Sequence, residues 1–538
     1  MAIGKSEKIF CYDIINPYEE KNLLKKPNIL LVTTDQQRGD CYGFRGRKVI
    51  TPHLNSLAES GVDFPNCITP SPVCQPARAS ILTGALPFSN GVADNGIDLD
   101  PRKADKGIAS ELSKSGYKTS LIGKAHFSTK ATFSPTGTPE CSISSGDYST
   151  NWTGPYMGFE YVELALFGKW FKNRPALKPP FGQHFEKWFF EKVAGEEGYD
   201  LWANQTKKGT GANQTWNSAL PVAWHASTWI GDRSIEFLKN HNKSEPFFLW
   251  TSFGDPHHPF DCPEPWASLH DPTNIDISKS HKIDLEHRPW WHRASLEGEP
   301  DLKDPVLKNF RKKGTRILSQ TEDQLREMTA NYYGMISLID HNFGRIINTL
   351  NEIGELENTY IFFTSDHGDL LGDHGLYLKG PTFYEGLINV GLIAKGPGIP
   401  KGMKYKKLIS SIDLASTFFE IAEIENISLP QSTSFLPILR ENNSKYKGRE
   451  FALSEWRVGA SRNGVELRLS CVRTEKAKLT LEEISGAGEL YDLDKDPEEM
   501  NNIFNASNAL KLQDYMMNLF RYRKGSLLSD FDEPVGMT

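Results

Sequence analysis

Residues 29–36 read Ile29-Leu30-Leu31-Val32-Thr33-Thr34-Asp35-Gln36, an apolar and β-branched run that stops on a carboxylate and an amide. A short run without polar alternation fits a strand buried on both faces, as in a parallel sheet. Three further stretches have the same form: Thr119–Gly123, Phe247–Phe253 and Tyr360–Ser365. Each is also followed by polar residues of ligand type, Lys124-Ala125-His126, Asp255-Pro256-His257 and Asp366-His367. Ligands of open α/β sheets bind beyond the carboxyl ends of the strands. The four strand ends are therefore expected to converge on one active site.

Helical patterns lie between these runs. Thr51 and Pro52 predict a helix start, with an end near Gly61. Thr321-Glu322-Asp323-Gln324 has capping-box form and precedes Leu325, Met328, Tyr332, Ile339, Phe343 and Leu350 at helical spacing. Alternating strands and helices predict an α/β fold whose mainly parallel sheet is covered on both faces. Residues 140–228 and 261–320 break the pattern and read as insertions. From about residue 440, short β-like pieces (Glu466–Val472, Lys478–Leu481, Glu489–Leu493) and a helix around 507–522 predict a smaller C-terminal α+β domain. The expected organisation is an N-terminal extension over 1–26, a catalytic domain over 27–438 and a C-terminal subdomain over 439–538.

Composition narrows the function. The chain has 538 residues, 38% hydrophobic and 24% charged, the profile of a soluble globular protein. A net charge of −7 argues against a nucleic-acid partner, so an anion site must be a local concentration of positive charge. Seven scattered cysteines without a C-x-x-C pair fit neither a disulfide framework nor a zinc cluster. Residues 1–21 carry no apolar core of a secretory signal, and no run reaches the ~18 apolar residues of a membrane span. A cytoplasmic protein with no membrane partner is expected, or a periplasmic one if a leader precedes this sequence.

The sharpest chemical signal is Ser71-Pro72-Val73-Cys74-Gln75-Pro76-Ala77-Arg78, followed closely by Thr83-Gly84. Pro76 suits a first helical position, which places Cys74 at a helix entrance and Arg78 about one turn further on. A group there meets the positive dipole end and free N–H donors, a setting suited to an anion.

With this C-x-P-x-R motif the chain resembles the type I sulfatases of the alkaline phosphatase superfamily. The resemblance implies an alkaline phosphatase-like α/β/α sandwich and a smaller C-terminal domain with an antiparallel sheet. It also implies that Cys74 is oxidised after translation to formylglycine by a formylglycine-generating or sulfatase-maturing enzyme. The hydrated aldehyde offers two geminal hydroxyls: one attacks sulfur, and loss of the other's proton expels sulfate. Arg78 would hold that diol. Asn28–Gln36 and Thr364–Asp369 look like the two metal-binding elements, implying Asp35, Gln36, Asp366 and His367, with the modified Cys74, around one cation. Oxygen-rich donors suit Ca²⁺, with Mg²⁺ or Mn²⁺ as alternatives.

Gly123-Lys124-Ala125-His126 matches the sulfatase G-K-x-H element, and Pro256-His257-His258-Pro259-Phe260 its P-H-x-P-F turn. Lys379 matches the lysine that meets the bridging and sulfuryl oxygens. The implied catalytic set is thus Cys74, Arg78, Lys124, His126, His257 and Lys379. His257 is assigned as acid for the leaving alcohol and His126 as base for the second diol proton; His258 is read as structural. Asn389-Val390-Gly391 departs from the family, where proline is usual at the third place. Tyr491–Pro497 resembles a structural signature of the C-terminal domain.

The combination of Asp35-Gln36 with Asp366-His367 also occurs in phosphonate monoester hydrolases, so a phosphonate monoester or phosphodiester hydrolase is the alternative. Those enzymes have uncharged residues where Lys124 and His126 stand, which favours sulfate. The expected substrate is a sulfated small molecule or oligosaccharide, a sulfated carbohydrate first. Trp152, Trp170, Trp188, Trp202, Trp216, Trp224 and Trp229 fall in or beside the first insertion, and Trp266, Trp290 and Trp291 in the second. Such rings serve either as a sugar platform or as packing for irregular loops.

Overall fold

A computed structural model describes residues 25–520 apart from 133, 150, 166–183, 190–200, 202–203, 283, 315–316, 318 and 441–447. The four apolar runs are strands. They are β1 (Asn28–Thr34), β3 (Lys118–Gly123), β5 (Phe247–Ser252) and β6 (Thr359–Ser365). They lie side by side in the order β6-β1-β5-β3, all parallel, with Leu31 level with both Trp250 and Phe362. Strand β4 (Tyr161–Leu164) extends the β3 edge in parallel. On the other side β7 (Leu392–Lys395) runs antiparallel to β6 and to β2 (Val62–Phe64), and β8 (Met403–Lys404) closes the eight-stranded sheet.

Alternation along β1 builds the two faces. Ile29 and Leu31 join a core with Ala79, Ile81 and Leu82 of helix α2 (Cys74–Thr83) and with Leu414 and Phe418 of a helix over Asp413–Ile421. Leu30 and Val32 face the opposite core. That core contains Leu54 and Leu57 of α1 (Pro52–Glu59), Trp229 and Ile230 of α3 (Ala226–Asn240), and Ile339 and Phe343 of α6 (Glu322–Glu352). Each fully buried aliphatic side chain here contributes about 1.5–3 kcal/mol. The chain is therefore an α/β/α sandwich. The capping box at Thr321 and Gln324 is formed as expected.

A separate antiparallel sheet has the order β9 (Ala452–Val458), β10 (Leu467–Arg473), β11 (Ala477–Glu482), β12 (Gly488–Asp492), and it is followed by a helix over Leu510–Phe520. Trp456, Val458, Leu467 and Leu469 of this sheet pack with Leu370, Phe383 and Tyr384, which lie beyond the end of β6. Glu455 N donates to Pro70 O at 2.8 Å and Arg457 N to Ala93 O at 3.0 Å, tying β9 to the loops around α2. Two further helices, α4 (Trp290–Glu297) and α5 (Pro305–Gly314), lie within the second insertion.

Two local expectations change. Helix α2 starts at Cys74, so Pro76 occupies its third position rather than its first. The first-turn N–H groups have no partner inside a helix, so proline is tolerated there as well. Gly391 sits at φ 62°, where Arg45 would collide with any added Cβ. Proline, fixed near −65°, is excluded from that backbone, which accounts for the departure seen in the sequence.

The described tryptophans mostly act as packing. Trp229 and Trp291 are buried, Trp188 stacks near Phe185 and Trp229, and Trp152 packs among Tyr148, Tyr156 and His184. Trp290 stays exposed, and Trp170 and Trp202 lie outside the described residues. No described helix is long and apolar enough to cross a membrane.

Candidate active site

Three parallel strands deliver the first charged groups. β1 ends into Asp35 and Gln36, β3 into Lys124, and β6 into Asp366 and His367. Adjacent strands stop in register, so these side chains meet at one edge. Helix α2 points its N-terminus at the same place, with Cys74 in its first turn. Asn95 Oδ1 accepts the Gln75 N–H at 3.1 Å and fixes that helix end.

Carboxylate oxygens of Asp35 and Asp366, His367 nitrogen and Cys74 Sγ all lie within 4.8 Å of one another. Cys74 Sγ is 3.2 Å from His367 Nε2 and 3.6 Å from Asp35 Oδ1, and Lys379 Nζ lies 2.9 Å from it. Lys379 Nζ is also 3.0 Å from His257 Nε2, while His257 Nδ1 meets the His258 carbonyl. Lys124 forms a fully buried ion pair with Asp35. Arg78, with no exposed surface, donates from Nε to Asp366 Oδ2 (2.7 Å) and from Nη1 to Lys124 O (2.8 Å) and Ser252 Oγ (2.7 Å). Its Nη2 has no hydrogen-bond partner within the protein.

These contacts set the charge states. Burial opposes ionisation of Asp35, but the cations around it, Lys124 first, outweigh it and hold the carboxyl well below its usual range. Burial and Asp35 push the Cys74 thiol up; Lys124, Lys379 and His367 prevail and bring it down to about 7. Burial, then Lys124 and Arg78, hold His126 well below the usual imidazole range. Burial, then Lys379 and His258, do the same to His257. Both histidines are neutral bases in a pocket where three cationic side chains face the carboxylates of Asp35 and Asp366. A buried positive excess of this kind selects an anion.

The donors suit a hard cation. Asp35 and Asp366 offer carboxylate oxygens, His367 an imidazole, and Gln36 Oε1 is buried without a hydrogen-bond partner. An amide oxygen left unpaired in such a place is costly unless a cation or donor meets it. Gln36 is oriented by Nε2, which meets Asp369 Oδ2 and lies 3.1 Å from His258 Nδ1. The structure thus brings together Asp35, Gln36, Cys74, Arg78, Lys124, His257, Asp366, His367 and Lys379. His126 lies two residues beyond Lys124, its main-chain N–H held by Glu140 Oε2 at 2.6 Å.

Several residues hold the site in ways the sequence does not spell out, among them His258, read there only as structural, and Asp369, read there only as the end of a metal-binding element. Asp369 and His258 hold Gln36, Ser252 anchors Arg78, and the Glu140 carboxylate collects the N–H groups of His126, Phe127 and Ser128. The acidic pair Asp366 and Asp369 was a readable signal, since two buried carboxylates so close demand separate partners. Ser252 and Glu140 carry no such mark. Asp255, grouped with the site by its strand end, instead meets Ser227 Oγ, with His225 Nδ1 3.5 Å away.

Comparison with known proteins gives one answer. The sulfatase family model matches residues 27–424, and a model described as N-sulphoglucosamine sulphohydrolase, C-terminal, matches 372–524. An arylsulfatase of Clostridium perfringens is 30% identical over 505 residues, covering 92% of this chain and 93% of that protein. An N-acetylglucosamine-6-O-sulfatase of Bacteroides thetaiotaomicron is 27% identical over 564 residues, covering 94% and 87%. The solved structure of a phosphonate monoester hydrolase of Agrobacterium radiobacter shares the fold, with a TM-score of 0.72 at 23% identity and coverage of 92% and 95%. By its matched length and its relatives, the chain belongs to the sulfatase family and is a sulfuric ester hydrolase.

Proposed function

We propose that the chain hydrolyses sulfate monoesters on a sulfated carbohydrate, with Cys74 as formylglycine for nucleophile and Ca²⁺ bound by Asp35, Gln36, Asp366 and His367. One observation carries this reading. Cys74 Sγ lies within reach of the donor cluster and of Lys379 at the same time. The bound cation would supply a fixed positive charge that polarises a sulfuryl oxygen and favours the ionised nucleophile. A hydrated aldehyde would supply one hydroxyl for attack and a second whose proton loss releases sulfate.

The chain's own residues do the rest. Arg78 is locked by three hydrogen bonds, and its buried Nη2 is left without a hydrogen-bond partner within the protein. That rigid fork can orient the nucleophile without paying reorganisation at the moment of reaction. Lys124 and Lys379 add cationic donors where the sulfuryl oxygens gather charge. Lys379 and His257 share one hydrogen bond, so a proton for the leaving alcohol can be held between them. His126, kept neutral, suits the base that takes the second hydroxyl's proton. The sugar is supported by the relative whose name specifies N-acetylglucosamine-6-O-sulfate chemistry.

A second reading, a phosphonate monoester or phosphodiester hydrolase, is favoured by the fold shared with such an enzyme. Buried Lys124 and His126 weigh against it, because a diester spreads its charge and needs room for a second organic arm. The test is kcat/KM for 4-nitrophenyl sulfate against bis(4-nitrophenyl) phosphate. Sulfate should be preferred, and Lys124→Ala should lower sulfatase activity at least about tenfold, roughly 1.4 kcal/mol, with a smaller loss on the diester. Preference for the diester, or equal losses, would establish the second reading.

A further inference from the structure

The backbone at His126 is unusual. Strand β3 ends at Gly123, and three residues further on His126 takes φ 54°, the left-handed region that residues other than glycine seldom enter. Such a conformation persists only where its surroundings enforce it, and it concentrates at functional sites. Phe127, the next residue, packs into the core against Tyr156, Phe159 and Trp250. His126 itself is buried within the field of Lys124, Arg78, Asp35 and Lys379.

One carboxylate enforces the turn. The main-chain N–H groups of His126, Phe127 and Ser128 all donate to Glu140, at 2.6 Å to Oε2 and at 2.9 and 3.1 Å to Oε1. Successive N–H groups around a left-handed residue form a concave anion receptor. Here the anion is the protein's own side chain. The Tyr156 hydroxyl donates to the same Oε1 at 2.8 Å, and Ser128 Oγ lies 2.9 Å from that hydroxyl. Burial pushes the Glu140 carboxyl up to about 7 against these four donors. Above that pH it is the ionised acceptor they require.

Other contacts pin the neighbouring residues. Lys124 N donates to Ser252 O at 2.8 Å, Leu99 N to Phe127 O at 2.9 Å and Thr129 N to Asp98 Oδ1 at 2.8 Å. The N–H of His126 goes to Glu140. A carboxylate that served only to tie down the first insertion, at whose edge Glu140 stands, would hold the amides of that loop. Three of its four bonds go instead to the turn that carries His126.

We propose that Glu140 is a positioning residue for sulfate release. It holds the His126 backbone in its left-handed turn, and so sets the imidazole to receive the second hydroxyl's proton as the aldehyde re-forms and the carbon–oxygen bond to sulfate breaks. The inference rests on the sulfatase reading above, with His126 as its base.

The test is a double-mutant cycle on kcat for 4-nitrophenyl sulfate, at about pH 8 where Glu140 is ionised. His126→Asn removes the base but keeps a residue that tolerates the left-handed turn. It should lower kcat about a hundredfold or more. Glu140→Gln keeps the size and one oxygen but turns an amide N–H toward the N–H of His126. Displacing the imidazole in this way should lower kcat about tenfold or more. KM should be no higher than wild type, since Arg78, Lys124 and Lys379 still meet the sulfuryl group. Melting temperature reports whether each variant is folded. In the double variant the loss due to Glu140→Gln should shrink to about twofold or less, because nothing is left to position. Should Glu140→Gln not fold, Glu140→Asp keeps the charge on a shorter arm and enters the same cycle. Wild-type kcat in the Glu140 variant, a loss carried by KM, or losses that multiply in the double variant overturn the positioning role and leave the sulfatase reading standing. Wild-type kcat in His126→Asn overturns His126 as base and the inference with it. No turnover of any sulfate ester by the wild-type enzyme overturns the sulfatase reading itself.

Discussion

Arg78→Lys keeps the charge and tests whether the fork of Arg78 matters. The guanidinium serves three acceptors at once: Asp366 Oδ2, Lys124 O and Ser252 Oγ. A lysine ammonium on its single stem can hold the Asp366 carboxylate but cannot span the others. Lys124 O then loses its side-chain donor in a fully buried place. Ser252 Oγ keeps Thr33 Oγ1 at 3.2 Å. The lost carbonyl bond costs about 1–3 kcal/mol and the lost serine bond about 0.5–1.5 kcal/mol, together about 1.5–4.5 kcal/mol of stability. Activity should suffer more than stability, because the unpaired Nη2 donor proposed to orient the nucleophile vanishes. Loss of one preorganised donor costs about 10²–10³ in kcat. Thermal unfolding and kcat on 4-nitrophenyl sulfate read the two effects separately. A variant with wild-type Tm and a kcat within a few-fold of wild type would refute the assignment of Arg78 as a rigid, positioned donor.

Chelation should abolish activity, and Ca²⁺ should restore it; full turnover in a verified metal-free sample would remove the cation from the account. Asp35→Asn and Asp366→Asn should weaken Ca²⁺ binding, measured by calorimetry, more than Gln36→Ala does, since each removes a full charge. A pH effect is expected far from the site, at Asp340. Burial pushes this carboxyl up to about 7 against the pull of hydrogen bonds from Leu54 N and His53 N, which cap α1. The unfolded chain ionises near 3.8 and the folded one only near 7, so stability falls as pH rises through that window. Denaturant unfolding of Asp340→Asn should show a shallower fall between pH 4 and 7 than wild type, and parallel curves would contradict the shift.

The central strands were legible because burial on both faces leaves an uninterrupted apolar signature. Ile29–Thr34 and Tyr360–Ser365 match β1 and β6 to within a residue. Strand β4, Tyr161–Leu164, was hidden in a stretch read as an insertion, since its short sequence on a sheet edge carries Glu163, which pairs with Arg233. Strand β9 was missed because Ser454, Glu455 and Arg457 break its apolar run, although Ser454 and Glu455 are buried. Site residues on strand ends and in the C-x-P-x-R motif were readable from their types and positions. The unassigned neighbours, Ser252 and Glu140, become visible only when distant segments fold together. Neither of them differs in sequence from an ordinary loop or strand residue.

The central claim is that Cys74 supplies the nucleophile after conversion to formylglycine. Mass spectrometry of the Cys74 peptide from fully active enzyme measures it most directly. The peptide should be about 18 Da lighter than its cysteine form, the change from thiol to aldehyde, and Cys74→Ala should be inactive. An active preparation whose Cys74 peptide is entirely unmodified, or a Cys74→Ala enzyme with wild-type turnover, would contradict the account.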